Sequence, residues 1–211
     1  MIRSIDQGPN CLRACLSIWE FEMTKFVSFS VLGVSALALA ACGGDDAASG
    51  QEDAGNAITT EEVTAAQEAW GEGIVAIGAV FTEEGDFNAR AEEHIATHYA
   101  YGDDATILFK PTLAAEDQFR ENAEEALSYF VGTEGTEDGG FAIKPYTKVE
   151  WDNNGTVISE SGDMAVAMGN YLFTDTDGGV TKVEYSFAYE KNDEGDLKIV
   201  LHHSSLPYNP G

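Results

Sequence analysis

Apolar residues along this chain follow one period in its first half and another in its second. Val63, Ala66, Trp70, Ile74, Ile77 and Phe81 recur at steps of three and four, which predicts one face of a long helix. The preceding Thr59-Thr60-Glu61-Glu62 has the spacing of a capping box, Thr59 to Glu62. Gly85-Asp86 stops that helix, and Asp86 is placed to cap a second one over roughly 87–100. A short apolar run, ATILF (105–109), leads to Lys110-Pro111-Thr112, where Thr112 is placed to cap a third helix. Phe119, Ala123, Ala126, Leu127 and Phe130 form the stripe of that helix, with Tyr129 at its edge.

Residues 132–140, GTEGTEDGG, read as a loop, and beyond them the period becomes two. Val149 and Trp151 alternate with Lys148 and Glu150; Val183, Tyr185, Phe187 and Tyr189 alternate with Lys182, Glu184, Ser186 and Ala188. Turn residues separate the runs at Asn154-Gly155, Ser161-Gly162-Asp163, Asp177-Gly178-Gly179 and Asn192 through Gly195. Helices followed by a hairpin-linked meander predict an α+β domain, with the N-terminal helices packed on one face of a curved antiparallel sheet and a pocket between the layers.

The segment before Thr59 has a different character. MTKFVSFSVLGVSALALAAC (23–42) has a basic start at Lys25, an apolar stretch and then Leu-Ala-Ala-Cys, the layout of a lipoprotein signal peptide ending in a lipobox. Its apolar stretch is short for a membrane span, which takes about 20 residues. This predicts lipidation of Cys42 and an exported protein anchored to a membrane, facing the periplasm or the cell exterior. Residues 1–22 carry Asp6, Glu20 and Glu22, unlike the basic start of a signal peptide, and are expected to be a mis-assigned extension that includes Cys11 and Cys15. Residues 43–58 are small and acidic and read as a flexible tether. That leaves 59–211 as one domain with no cysteine to offer a metal.

The net charge is −26 over 211 residues. Dropping everything before Cys42 removes Arg3, Arg13 and Lys25 along with Asp6, Glu20 and Glu22, so the value is unchanged. Such a surface argues against nucleic-acid binding, which needs cations on phosphate. Gly71, Gly73 and Gly78 lie inside a helical pattern with no strand before them, which excludes a dinucleotide fingerprint. There is no phosphate loop and no serine elbow.

Histidine is scarce. His94 and His98 have the i, i+4 spacing at which two imidazoles on a helix can share a zinc or manganese ion, but no third ligand accompanies them. His202 and His203 are neighbours on a strand and point to opposite faces, so whichever faces a pocket is joined by the serine two residues on: His202 with Ser204, or His203 with Ser205.

The segments LFKPT (108–112), ALSYFVG (126–132), GFAIKPYTKVEW (140–151), AMGNYLFTD (167–175), VEYSFAYEK (183–191) and LHHSSLPY (201–208) resemble the iota class of carbonic anhydrase. Its bacterial and algal members share the association-domain fold of calcium/calmodulin-dependent kinase, within the nuclear transport factor 2-like superfamily. The resemblance spans about 65–208 and implies a cone-shaped fold, a homodimer, and reversible hydration of CO2 to bicarbonate. It places bicarbonate-binding hydroxyls on Thr112, Tyr129 and Ser204. On this reading Ser204 and Tyr129 hold a water against CO2, Thr112 binds the developing bicarbonate, and His202, with His203 as fallback, takes the proton. No cofactor is expected, since a catalytic zinc needs three protein ligands and an open position. The rival expectations are a non-catalytic pocket of the same fold, an isomerase or dehydratase with a carboxylate base, and a metal-dependent hydratase using His94 and His98. The second finds little support, because Glu150, Glu184 and Glu190 fall opposite the aromatic face.

Overall fold

Thr59 opens the first helix in the expected way. In the computed structural model its hydroxyl accepts from the Glu62 backbone N–H at 3.2 Å, while the Glu62 carboxylate accepts from the Thr59 N–H at 2.8 Å. The structure describes residues 57–102 and 107–211; the extension, signal peptide, Cys42 and nearly all of the tether lie outside them. Helix α1 runs Thr60–Thr82 and α2 Phe87–His98, the latter capped by Asp86, whose side chain accepts from the Ala89 N–H at 3.0 Å.

The third helix departs from the expectation. Thr112 does not cap it: α3 spans Ala123–Val131 and is capped by Asn122. Asn122 Oδ1 accepts from the Glu125 N–H at 3.0 Å, so the first turn already has its partner. Phe119, expected on the helical stripe, lies before the helix and is 56% exposed.

Five strands form a single sheet. Strand β1 is Leu108–Lys110, β2 Tyr146–Ile158, β3 Met164–Asp175, β4 Val180–Lys191 and β5 Leu197–Ser205, in the sheet order β1-β5-β4-β3-β2. The meander β2 to β5 is antiparallel, whereas β1 pairs parallel with β5, which the periodicity did not indicate. Asn154-Gly155 is not a turn but a bulge inside β2: Asn153 pairs Gly169 and Gly155 pairs Met168, leaving Asn154 unpaired. Gly169 admits the bulge, because a side chain there would run into the Asp152 carbonyl. The other three expected turns join β2 to β3, β3 to β4 and β4 to β5.

The inner face of the sheet is aromatic, and α1 lies on it. Trp70 stacks on Tyr171 with ring centroids 5.8 Å apart and meets Trp151, Phe173 and Phe187 edge-on. A Trp70→Ala variant would lose about 3–5 kcal/mol, the usual cost of deleting a buried aromatic ring. Glu150, Glu184 and Glu190 are exposed, so the inner face carries no carboxylate from these positions.

Candidate active site

A second bulge decides which side of HHSS (202–205) turns inward. Tyr189 pairs Ile199 and Ala188 pairs Leu201, so Val200 is an extra residue. Counting by twos from the buried Ile199 would aim Leu201, His203 and Ser205 inward. The extra residue reverses that parity, and His202 and Ser204 become the buried pair. His203 is exposed on the outer face, and Ser205 there donates to Glu184 at 3.2 Å. The structure therefore sets His203 and Ser205 on the face opposite His202 and Ser204.

Strand β1 brings the remaining hydroxyl. Phe109 pairs His202 and stacks on its ring at 4.5 Å, which carries the chain through the buried Pro111 to Thr112. Thr112 Oγ1 donates to Ser204 Oγ at 2.9 Å. Tyr129 arrives from the end of α3, buried against Phe109 edge-on and Phe141 face-on. Burial pushes its hydroxyl pKa up, with the Leu113 N–H partly opposing the shift. Thr112, Tyr129 and Ser204, distant in sequence, thus meet around one segment, 109–113.

Behind them lie two tyrosines to which the sequence assigned no role, Tyr99 and Tyr171, both bonded to the imidazole of His202. His202 is held at both nitrogens: Nδ1 is 2.9 Å from the Tyr99 hydroxyl and Nε2 is 3.3 Å from the Tyr171 hydroxyl. Trp70 Nε1 donates to the same Tyr99 hydroxyl at 3.0 Å. Burial holds the His202 pKa well below 6.5, with His203 adding to it, so the ring is neutral at physiological pH. Burial likewise raises Tyr99 and Tyr171, although Trp70 and Ser204 respectively pull them back. The site therefore consists of neutral hydroxyls and one neutral imidazole, and it offers hydrogen bonds rather than charge. Tyr171 lay within the AMGNYLFTD segment with no role assigned to it; Tyr99 gave no signal, because the register that brings it to His202 is long-range.

The other histidine pair is arranged differently. His94 is buried with its ring 4.5 Å from that of His98, and among the described residues neither of its nitrogens has a hydrogen-bond partner. It packs on α1 at Gly73, where any Cβ would collide with Nδ1. Among the described residues no group of three or more His, Cys, Asp or Glu could hold a metal ion. The donor set does not fit a catalytic metal centre.

Helices on one face of a mostly antiparallel sheet, with hydroxyls gathered against an aromatic interior, make an α+β fold of the nuclear transport factor 2-like kind. A structure from Xanthomonas campestris, described as a calcium/calmodulin-dependent protein kinase II association domain, shares this fold at a TM-score of 0.50 and 24% identity, covering 72% of this chain and 91% of that one. Residues 61–206 match the family model for metal-independent carbonic anhydrase, and the chain belongs to that family. The metal-independent carbonic anhydrase of Nostoc sp. is 44% identical over 156 residues, 72% of this chain and 75% of that protein. The iota-carbonic anhydrase from a cyanobacterium, solved in complex with bicarbonate, superposes with a TM-score of 0.69 at 42% identity, covering 73% of this chain and 95% of that one.

Proposed function

We propose that this chain catalyses the reversible hydration of CO2 to bicarbonate at Thr112, Tyr129 and Ser204, without a metal cofactor. Family membership supports the reaction and its metal independence. The observation that carries the residue roles is the 2.9 Å Thr112–Ser204 hydroxyl pair, with Tyr129 on one side and the Tyr171–His202 pair behind. In the forward direction a water oxygen bonds to the carbon, one C=O electron pair moves onto oxygen, and the water gives up a proton. The charge that grows on the CO2 oxygens meets fixed hydroxyl donors in an aromatic enclosure, where such donors act most strongly. Both nitrogens of His202 are engaged, so the proton leaves toward solvent on the part-buried Thr112 side. Without a metal, the water's pKa is not lowered, and the gain comes from orientation and from stabilising the product anion.

The test is stopped-flow CO2 hydration by the purified protein, before and after exhaustive chelation, beside Ser204→Ala and Tyr129→Phe. Each variant is expected to lose about 10²–10³-fold in kcat/KM, the cost of removing one oxyanion donor. Activity lost on chelation would overturn the metal-free reading. An inactive wild type would leave a binding module of the same fold.

The functional unit is a homodimer joined through the outer face of the sheet. The reading is supported by one cross-strand row, Val157, Val166, Ala188, Leu201 and Leu108, apolar across all five strands and turned away from the helices. Val157 is 74% exposed, Val166 45% and Leu108 60%. A Val166→Glu variant is expected to sediment as a monomer at concentrations where the parent is a dimer. The protein is exported and tethered by a lipid on Cys42; mass spectrometry of the membrane fraction should find that cysteine acylated and N-terminal.

A further inference from the structure

The hydroxyls at the substrate end close a longer chain of hydrogen bonds that starts on α1. It runs Trp70 Nε1 to Tyr99 at 3.0 Å, Tyr99 to His202 Nδ1 at 2.9 Å, and His202 Nε2 to Tyr171 at 3.3 Å. Each link but the first has two conceivable directions, because a phenol and a neutral imidazole both donate and accept. The first has one. An indole nitrogen is a donor and nothing else, so the Tyr99 oxygen must accept from Trp70.

That single fixed link propagates along the rest. Among the described residues the Tyr99 hydroxyl has two partners, Trp70 and His202. Its own hydrogen therefore has one acceptor to go to, the Nδ1 lone pair. In the opposite arrangement Nδ1–H would donate to Tyr99, and the Tyr99 hydrogen would be buried with no acceptor, which is the more costly state. With Nδ1 as acceptor, a neutral imidazole carries its proton on Nε2 and donates it to Tyr171. Tyr171 accepts there and keeps its own hydrogen for the side on which Ser204 lies.

We infer that Trp70 and Tyr99 are positioning residues that lock His202 as its Nε2–H tautomer, so that Tyr171 is presented to the substrate oxygens as a hydrogen-bond donor. This rests on the carbonic anhydrase reading of the site. The packing keeps the ring from turning over to exchange its nitrogens. Phe109 lies flat on His202 at 4.5 Å, Phe187 meets it edge-on at 4.2 Å, and Trp70 meets it edge-on at 5.6 Å while stacking on Tyr171. Donors in series polarise one another, so each link strengthens the hydrogen that Tyr171 offers to a growing negative charge. The other tautomer would turn that hydrogen back onto Nε2 and take a donor out of the site. His202 is thus the middle of a donor chain and not the group that receives the proton in the resting enzyme.

The experiment is ¹⁵N–¹H NMR of the imidazole nitrogens in the histidine-labelled, substrate-free protein, with His202 assigned by its loss in His202→Gln. The wild type should show a pyridine-like Nδ1 and a protonated, pyrrole-like Nε2. Tyr99→Phe keeps the ring and deletes the hydroxyl; it should move the proton wholly or partly to Nδ1. Its kcat should fall about 10- to 100-fold, by analogy with a metal-ligating histidine that loses its orienting partner, with KM little changed. Trp70→Phe should shift the tautomer in the same direction. A wild-type proton on Nδ1, an imidazolium at neutral pH, or an unchanged tautomer in Tyr99→Phe would overturn the lock. A shifted tautomer with unaltered kcat would overturn its catalytic role. The tautomer is read without substrate, so an inactive wild type with Nε2 protonated would refute the reaction and leave the lock standing.

Discussion

Two histidines are buried in this domain, and they teach opposite lessons about what burial means. His94 on α2 is 1% exposed and His202 on β5 is 3% exposed, and desolvation is the first cause of the depressed pKa in both. His202 has a tyrosine hydroxyl on each nitrogen; His94, among the described residues, has a partner on neither. Desolvation alone thus marks a histidine as neutral, not as functional. The partners distinguish them: one imidazole belongs to a hydrogen-bonded chain that runs from Trp70 through Tyr99 to Tyr171, and the other fills the space left by Gly73 against Trp70 and Phe130.

The sharpest way to break that comparison is to make both histidines apolar. In His202→Phe the ring still stacks on Phe109, but the Tyr99 hydrogen loses its acceptor and Tyr171 its donor. Each orphaned hydroxyl should cost about 1–3 kcal/mol of stability. Catalysis should fall about 10²-fold or more, because the Tyr171 donor is no longer set. Urea unfolding followed by stopped-flow hydration checks both. His94→Leu, by contrast, removes two unpaired nitrogens from an apolar site at similar volume. Stability is expected to hold or rise, and hydration to stay at the wild-type rate. If His94→Leu abolished hydration while remaining folded, His94 would belong to the machinery and the contrast would collapse.

These two fates show how far the sequence could be read. The local signals were sufficient where chemistry and position coincide: the Thr59–Glu62 box, the Asp86 cap, three of the four turns and the alternation that buries Tyr185 and Phe187 are all in place. The choice between His202 and His203 was not legible, because it depends on one unpaired residue, Val200, that no composition rule marks. Asn154-Gly155 carried a strong turn signal, and the long β2–β3 pairing absorbed it as a bulge. The family motifs gave Thr112, Tyr129 and Ser204, and the structure brings them together. Tyr99 and Tyr171 escaped because their role lies in long-range bonds to His202, and a buried aromatic residue ordinarily reads as core.

The smallest expected effect is a pH dependence that reads the burial of His94 by stability alone. Burial holds His94 well below its ordinary value of 6.5, with His98, Arg90 and His202 adding to it. His98 itself is lowered to about 4, by burial first and then by Lys198 and Arg90. In the unfolded chain these histidines take up protons below about 6.5. The native chain takes them up only at lower pH, so the unfolded state binds more protons and stability rises with pH in that window. The contribution of each is complete above pH 6.5 and is lost as the pH falls, at ~1.4 kcal/mol per unit for each proton, until the native group titrates. The lowered carboxylates, Glu62, Glu137 and Asp163, act with the same sign but below their ordinary values, 4.5 for the glutamates and 3.8 for the aspartate, outside this window. Between pH 6.5 and 5 the His94→Leu variant should therefore lose less stability than the parent, by about one proton's slope, in urea titrations at each pH. The general effect of protonation on a chain of net charge −26 is common to both proteins and drops out of the difference. Parallel slopes for variant and parent would mean that His94 is charged in the native state, and the depression assigned to its burial would be wrong.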